Sequence, residues 1–275
     1  MNRVMGVVVE IKNLTKKYGD LKAINNLSFD IKEGEILGFL GPNGAGKSTT
    51  MNVLMGFISA TSGQAKIFGQ KVSVRNTLPR RDIGFLSSNT ALDKGLTARQ
   101  ELEYFGHLAR GYNKKYVEEL VERLGVDMDV EIGKMSTGNH QKVALVLALM
   151  KQPDLLILDE PTNGLDPLVQ AEFNKIILEM KAKGATVFIS SHILSEVNEL
   201  CDEFVFIKKG KIVAKLTKEE LGRQSGEVLS VRLGKDRKKI IKLLDKHEIK
   251  YEVTTNDLEG TFMRFYEEEK GGGDA

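Results

Sequence analysis

Three things are scarce in this chain of 275 residues. It has a single cysteine, Cys201, so no internal disulfide can form and a reducing compartment is expected. In its setting, NELCDEF, Cys201 reads as a small buried apolar filler rather than a reactive thiol. Long apolar runs are missing: the longest, VALVLALM at 143–150, falls well short of the ~20 residues that span a bilayer. The opening MNRVMGVVVEIKN is too short and too quickly interrupted by charge to read as a signal peptide, so a cytoplasmic protein is expected. Excess charge is missing too. The 40 basic and 38 acidic residues leave a net +2, whereas a nucleic acid held through its phosphates calls for a stronger basic excess. No nucleic-acid partner is expected. What remains, 41% hydrophobic and 28% charged residues, suits a soluble globular chain, long enough for one large domain or one domain plus a small appendage.

Strand-like composition appears at Val7–Leu14 and Asn25–Ile31, with KKYGD as turn chemistry between them. GEILGFL (34–40) is a short apolar strand that runs into the glycine-rich GPNGAGKSTT, after which Thr49–Phe57 reads as a helix. RDIGFLS (81–87) is another strand. From 89 to 150 the pattern turns helical, in TARQELEYFGHLARGY, KKYVEELVERLG and NHQKVALVLALM. Alternation then resumes: DLLILD (154–159) strand, Pro167–Lys183 helix, ATVFISS (185–191) strand, Ile193–Leu200 helix, and the hairpin EFVFIKKGKIVAKL turning at Lys209–Gly210. Short apolar runs alternating with helices predict a mainly parallel α/β sheet covered on both faces, with 89–150 as an inserted helical subdomain. Residues 217–275 read as a small C-terminal α/β unit: strand EVLSVRL, helix RKKIIKLLDKH, strand IKYEVT, helix LEGTFMRFYEEE, and a disordered GGGDA end.

The residues that carry chemistry sit at the ends of these runs. Gly41–Thr49, GPNGAGKST, fits G-x-x-x-x-G-K-[ST] between a strand and a helix, where backbone N–H groups can face phosphate oxygens. There Lys47 adds a point charge and Ser48 offers a hydroxyl to Mg²⁺. Asp159 closes a buried strand and is placed to hold Mg²⁺; Glu160 follows, a second carboxylate suited to deprotonating an attacking water. His192 follows the next strand and can reach the same sheet edge, as a donor to transferring phosphate. MSTGN (135–139) opens a helix. Ser136, or Asn139 in a later register, is an ordinary N-cap, but the cluster of small polar residues also suits an anion.

Taken together, the phosphate loop, MSTGN, LLILDE, PTNGLD and SSH, in that order from about Val9 to Leu216, resemble the nucleotide-binding subunit of ATP-binding cassette (ABC) transporters. The resemblance implies an ABC domain over 1–216, with a P-loop NTPase core and an N-terminal antiparallel β subdomain. It implies ATP and Mg²⁺ as ligands and a dimer in which each signature segment completes the site of the other subunit. Ser136 and Gly138 would then meet the γ-phosphate of ATP held by the partner, and Asp166 would run along the interface. Tyr18 matches the aromatic that stacks on adenine; Asn43, Gly44, Ala45 and Gly46 match the phosphate cradle, and Thr49 the α-phosphate contact. Two places depart from the family pattern. Ser88 stands where a metal-contacting glutamine is usual, and a serine would reach the metal through an added water. Met135, Thr137 and Asn139 vary the commoner LSGGQ.

The resemblance further implies a second cassette, identical for preference, and a separate transmembrane permease that attaches the chain to the inner face of the membrane and works in export. Leu92, Leu96, Tyr104 and Phe105 would line the groove for the permease. The alternative class, soluble ABC ATPases acting on ribosomes or DNA, usually carries two cassettes or a long coiled-coil insertion. A GTP switch would need a guanine-reading N-K-x-D segment, and none is found.

Overall fold

The computed structural model describes residues 6–76, 83–108 and 112–224. The chain divides into two compact units, Met1–Lys218 and Glu219–Ala275.

Two sheets organise the first unit. The antiparallel one has the order β2-β1-β4-β5, from β1 (Val7–Tyr18), β2 (Leu21–Lys32), β4 (Ser62–Ile67) and β5 (Gln70–Lys71). The larger one runs β10-β9-β3-β8-β7-β6, from β3 (Ile36–Leu40), β6 (Ile83–Leu86), β7 (Leu155–Asp159), β8 (Thr186–Ser191), β9 (Glu203–Lys208) and β10 (Lys211–Thr217). Its strands pair in parallel except for β10, which returns antiparallel on β9. Every residue of β3, β7 and β8 is buried, as expected of parallel strands with both faces covered. The two sheets share a core in which the rings of Phe29, Phe39 and Phe188 lie 5.4–5.8 Å apart.

Helices α1 (Lys47–Leu54), α2 (Ala98–Leu108), α3 (Lys114–Leu124), α4 (Thr137–Leu149), α5 (Pro167–Ala182) and α6 (Leu194–Val197) complete this unit. Their ends follow local chemistry. Asn113 caps α3 by accepting from Tyr116 N, and Gly125, left-handed at φ 61°, closes it. Asp166 caps α5, with Pro167 in the first turn where a missing N–H is harmless.

The α/β P-loop architecture read from the sequence is the one observed. Some elements differ from the expectation: α1 spans Lys47–Leu54 where Thr49–Phe57 was expected. The first hairpin is longer at both inner ends, because Lys16 pairs with Ile24, Lys17 with Lys22 and Tyr18 with Leu21 although most of these side chains are polar. β4 and β5 were not expected: SGQAKI has little β-branched composition, and only Ala65 and Ile67 face the core. The helix expected at Ile193–Leu200 is reduced to the four residues of α6. A helix that composition had not marked, α7 (Lys218–Gln224), begins at the last residue of the first unit, and its residues 219–224 are the described part of the second. The remaining expectations for 225–275 lie outside the described residues.

Candidate functional site

Strands β3, β8 and β7 lie side by side and end together, Leu40 opposite Ser191 and Asp159 opposite Ser190. Parallel strands deliver their carboxyl ends to one edge, the usual place for a ligand in such a sheet. Three segments therefore converge: the loop after β3, Glu160 after β7, and His192 after β8.

The loop needs its glycines. A Cβ at Gly41 would meet Ile207 O at 2.3 Å, and one at Gly46 would meet Ala23 O at 2.4 Å, where φ is also +110°. Gly44 is left-handed as well, at φ 78°. The β9–β10 turn supports the loop from behind, Gly210 N donating to Ala45 O at 2.9 Å. Ala45 is buried, Asn43 and Gly44 are exposed, and Ser48 and Thr49 are half-buried in the first turn of α1.

Lys47 is 5% exposed and folds back over its own loop. Its Nζ donates to Gly41 O at 2.6 Å and reaches Pro42 O at 3.4 Å. It also lies 3.1 Å from Glu160 Oε1, as an ion pair whose angle is not that of a hydrogen bond. Oε1 thus has Lys47 as its charge partner and no hydrogen-bond donor among the described protein groups, which leaves it able to accept from a group that comes to it. The other oxygen, Oε2, lies 2.8 Å from His192 Nδ1. A neutral ring donating through Nδ1 presents Nε2 as an acceptor; for His192 to donate to phosphate it must be protonated or leave Glu160.

Ser190, fully buried, joins the two carboxylate positions. Its Oγ donates to Asp159 Oδ1 at 2.6 Å and accepts from Glu160 N at 3.0 Å. Glu160 itself has φ 52°, uncommon for a bulky residue. Downstream, Thr162 Oγ1 donates to Glu196 Oε2 at 2.7 Å, linking the segment after Glu160 to α6.

The structure thus gathers Lys47, Asp159, Glu160 and His192 around one loop. The signature segment is placed elsewhere in the unit. Ser136 is the N-cap, rather than Asn139; its Oγ accepts from Asn139 N at 3.3 Å, and it is exposed. Gly138 packs so closely on the PTNGLD turn that a Cβ there would meet Gly164 O at 2.6 Å. Asp166 is exposed, and its Oδ1 accepts from both Leu168 N and Val169 N at 3.0 Å. Tyr18 ends β1 with its ring half exposed and Lys16 Nζ 4.9 Å from the centroid. Ser88 is exposed in a turn that Ser87 organises through Asn89 N and Thr90 Oγ1.

Beside β6, a groove of about 310 Å³ is lined by Phe85, Leu92, Phe105, Leu147, Ala148 and Lys151 among others. Tyr104, exposed, packs edge-to-face on Phe105 at 5.3 Å. Leu96 is not among its lining residues. Leu102, on the same helix as Phe105, is in the core.

Sequence reasoning did not assign Ser190, Gln141, Thr162 or Glu196. Ser190 carried a signal, as the first residue of an SSH already singled out, and Thr162 as part of PTNGLD. Gln141 and Glu196 become visible only when distant segments meet.

Residues 24–163 match the family model described as ABC transporter. This chain belongs to the ABC transporter family. Relatives agree over most of its length. It is 37% identical over 246 residues to the bacitracin transport ATP-binding protein BcrA of Bacillus licheniformis, covering 88% of this chain and 80% of that protein. It is 38% identical over 224 residues to the lantibiotic transport ATP-binding protein SrtF of Streptococcus pyogenes, covering 81% and 95%. Among solved structures, it resembles a dimeric post-hydrolysis state of the ATP-binding cassette MJ0796 bound to ADP and Pi. The TM-score is 0.70 at 27% identity, over 76% of this chain and 98% of that one. This ABC cassette is therefore an ATPase. No helix among its described residues is long and apolar enough to cross a membrane.

Proposed function

We propose that this ABC ATPase closes as a dimer around two ATP and drives a separate membrane permease in export. The observation that carries the chemistry is Glu160, aimed by its neighbours at the edge of the phosphate loop and left with one buried acceptor oxygen. In that place Glu160 takes a proton from the attacking water, Lys47 transfers its charge from Glu160 to the phosphates, and His192 is released toward the γ-phosphate. The strained, glycine-dependent loop turns its N–H groups toward the same oxygens.

A metal ion fits the residues present. Ser48 and Asp159 offer hard oxygen donors, and among the described residues no three His, Cys, Asp or Glu gather into a protein-only cage. That donor set suits Mg²⁺, which keeps waters and takes phosphate oxygens. Ser48 and Asp159 would hold it, with Ser88 at its margin through a water, and it would supply charge neutralisation at the transferring phosphate.

Ser136 and Gly138 stand at an exposed helix N-terminus, suited to an anion presented by another molecule. The dimeric likeness and this exposure support a shared pocket, with Ser136 acting on the partner's ATP and Asp166 and Leu168, 83% exposed, at the seam. The adenine would lie on Tyr18. The apolar groove by Phe85 and Phe105 suits a short helix of the permease. Export is supported by a relative named Nod factor export ATP-binding protein I, of Rhizobium sp.. The test is a pull-down from detergent extract with the Glu160→Gln chain and ATP. Recovery of a hydrophobic multi-span protein supports the reading; ribosomes with no such protein would overturn it.

A further inference from the structure

Helix α4 begins at the signature residue Ser136, yet five residues on, Gln141 turns inward to the catalytic strand of its own chain. Its Nε2 lies 3.0 Å from Pro161 O and 3.4 Å from Glu160 O. Both partners are carbonyl oxygens, which settles the orientation of the amide: the flipped form would set oxygen against oxygen twice. These two carbonyls flank the peptide just after the left-handed Glu160.

A glutamate does not hold φ near +50° by its own preference. Such a conformation persists only where the surroundings over-determine it. Upstream, Ser190 Oγ fixes the Glu160 N–H; downstream, Gln141 fixes the carbonyls. The side chain between them is the one that reaches Lys47 and His192. If the downstream bonds are removed, the peptide is free to relax toward negative φ. The carboxylate then swings off the line between those two partners.

We propose that Gln141 is a positioning residue for Glu160, acting through donation to the main chain and not through packing alone. Gln141 belongs to the helix that presents Ser136. A shift of that helix on engaging an anion is therefore felt at the catalytic carboxylate of the same chain. The inference rests on Glu160 being the general base.

The test compares two variants of the full chain. Gln141→Glu keeps the shape but carries only acceptors at neutral pH, and Gln141→Ala removes both shape and donor. Steady-state ATP turnover is measured alongside thermal melting and KM. The expected result is a kcat lowered roughly 10- to 100-fold in both, the scale that misplacing a catalytic group produces, with KM for ATP unchanged. Gln141→Glu turning over at the wild-type rate while Gln141→Ala falls would show packing and overturn the proposal. So would a loss confined to KM. Glu160→Gln, run in parallel, separates the two levels: if it hydrolyses ATP normally, the reading of Glu160 fails. If it is inactive and Gln141→Glu is not impaired, only the present inference fails.

Discussion

Lys47 Nζ and Glu160 Oε1 form an ion pair 3.1 Å apart at the rim of the parallel sheet, both largely buried. Each is the other's neutraliser. Buried charges are tolerated when paired, and breaking one side leaves the other uncompensated. In the proposed reaction an incoming γ-phosphate would exchange one partner of Lys47 for another and free Glu160 for the water.

Glu160→Gln removes the competitor and the base together. ATP affinity is expected to hold or rise, while hydrolysis falls by about 10²–10⁴, the usual contribution of a general base. Equilibrium binding of a fluorescent ATP analogue, set beside phosphate release, checks both halves. Wild-type turnover would remove Glu160 from its role.

Ser190→Ala cuts the hydroxyl that joins Asp159 Oδ1 to Glu160 N inside a fully buried strand end. A buried carboxylate and a buried N–H each lose a partner, and the stability cost is about 1–3 kcal/mol. Denaturant unfolding measures it. Turnover is expected to fall with stability, since the same bond orients both acids.

Ser136→Arg places a bulky cation at an exposed helix start without disturbing any buried group. Single-chain ATP binding is expected to survive and cooperative hydrolysis to vanish. Isothermal titration and the Hill coefficient for turnover, measured on the same preparation, separate the two. Loss of binding as well would point to a role within its own chain.

Arg123 clasps α3 to α5, donating to Glu172 at 2.7 Å and in two bonds to Glu179 at 2.7 and 2.8 Å. The guanidinium holds both carboxyls below the ordinary glutamate range, chiefly by these hydrogen bonds. Because the folded values are depressed, the clasp's stabilisation is complete above the unfolded glutamate value of about 4.3. It is lost as pH falls through the folded values. Arg123→Met should therefore lower the melting temperature at pH 7, by a deficit that shrinks as the pH is taken down toward 3. High salt should narrow the gap at pH 7. Melting curves across pH and salt test this, and an equal deficit at both pH values would contradict it.

The phosphate loop was legible because its chemistry constrains identity: glycines where a Cβ cannot fit, then a lysine and a hydroxyl residue. Asp159, Glu160 and His192 were legible from position, each ending a buried apolar run that parallel pairing brings to one edge. The left-handed backbone at Glu160 was not, since glutamate carries no preference for it. Gln141 and Glu196 were hidden for a related reason: their partners at Pro161, Glu160 and Thr162 lie 19–34 residues away and no local pattern announces them. β4 escaped because its pairing with β1, not its composition, makes it a strand.

The central claim is that a pocket is complete only when Ser136 of one chain meets the nucleotide held by Lys47 of another. Turnover per chain measured against chain concentration, at saturating ATP and Mg²⁺, tests it most directly. The account predicts a rate per chain that climbs with concentration and levels off once dimers dominate. A rate per chain that stays constant down to dilutions where only monomers remain would contradict it.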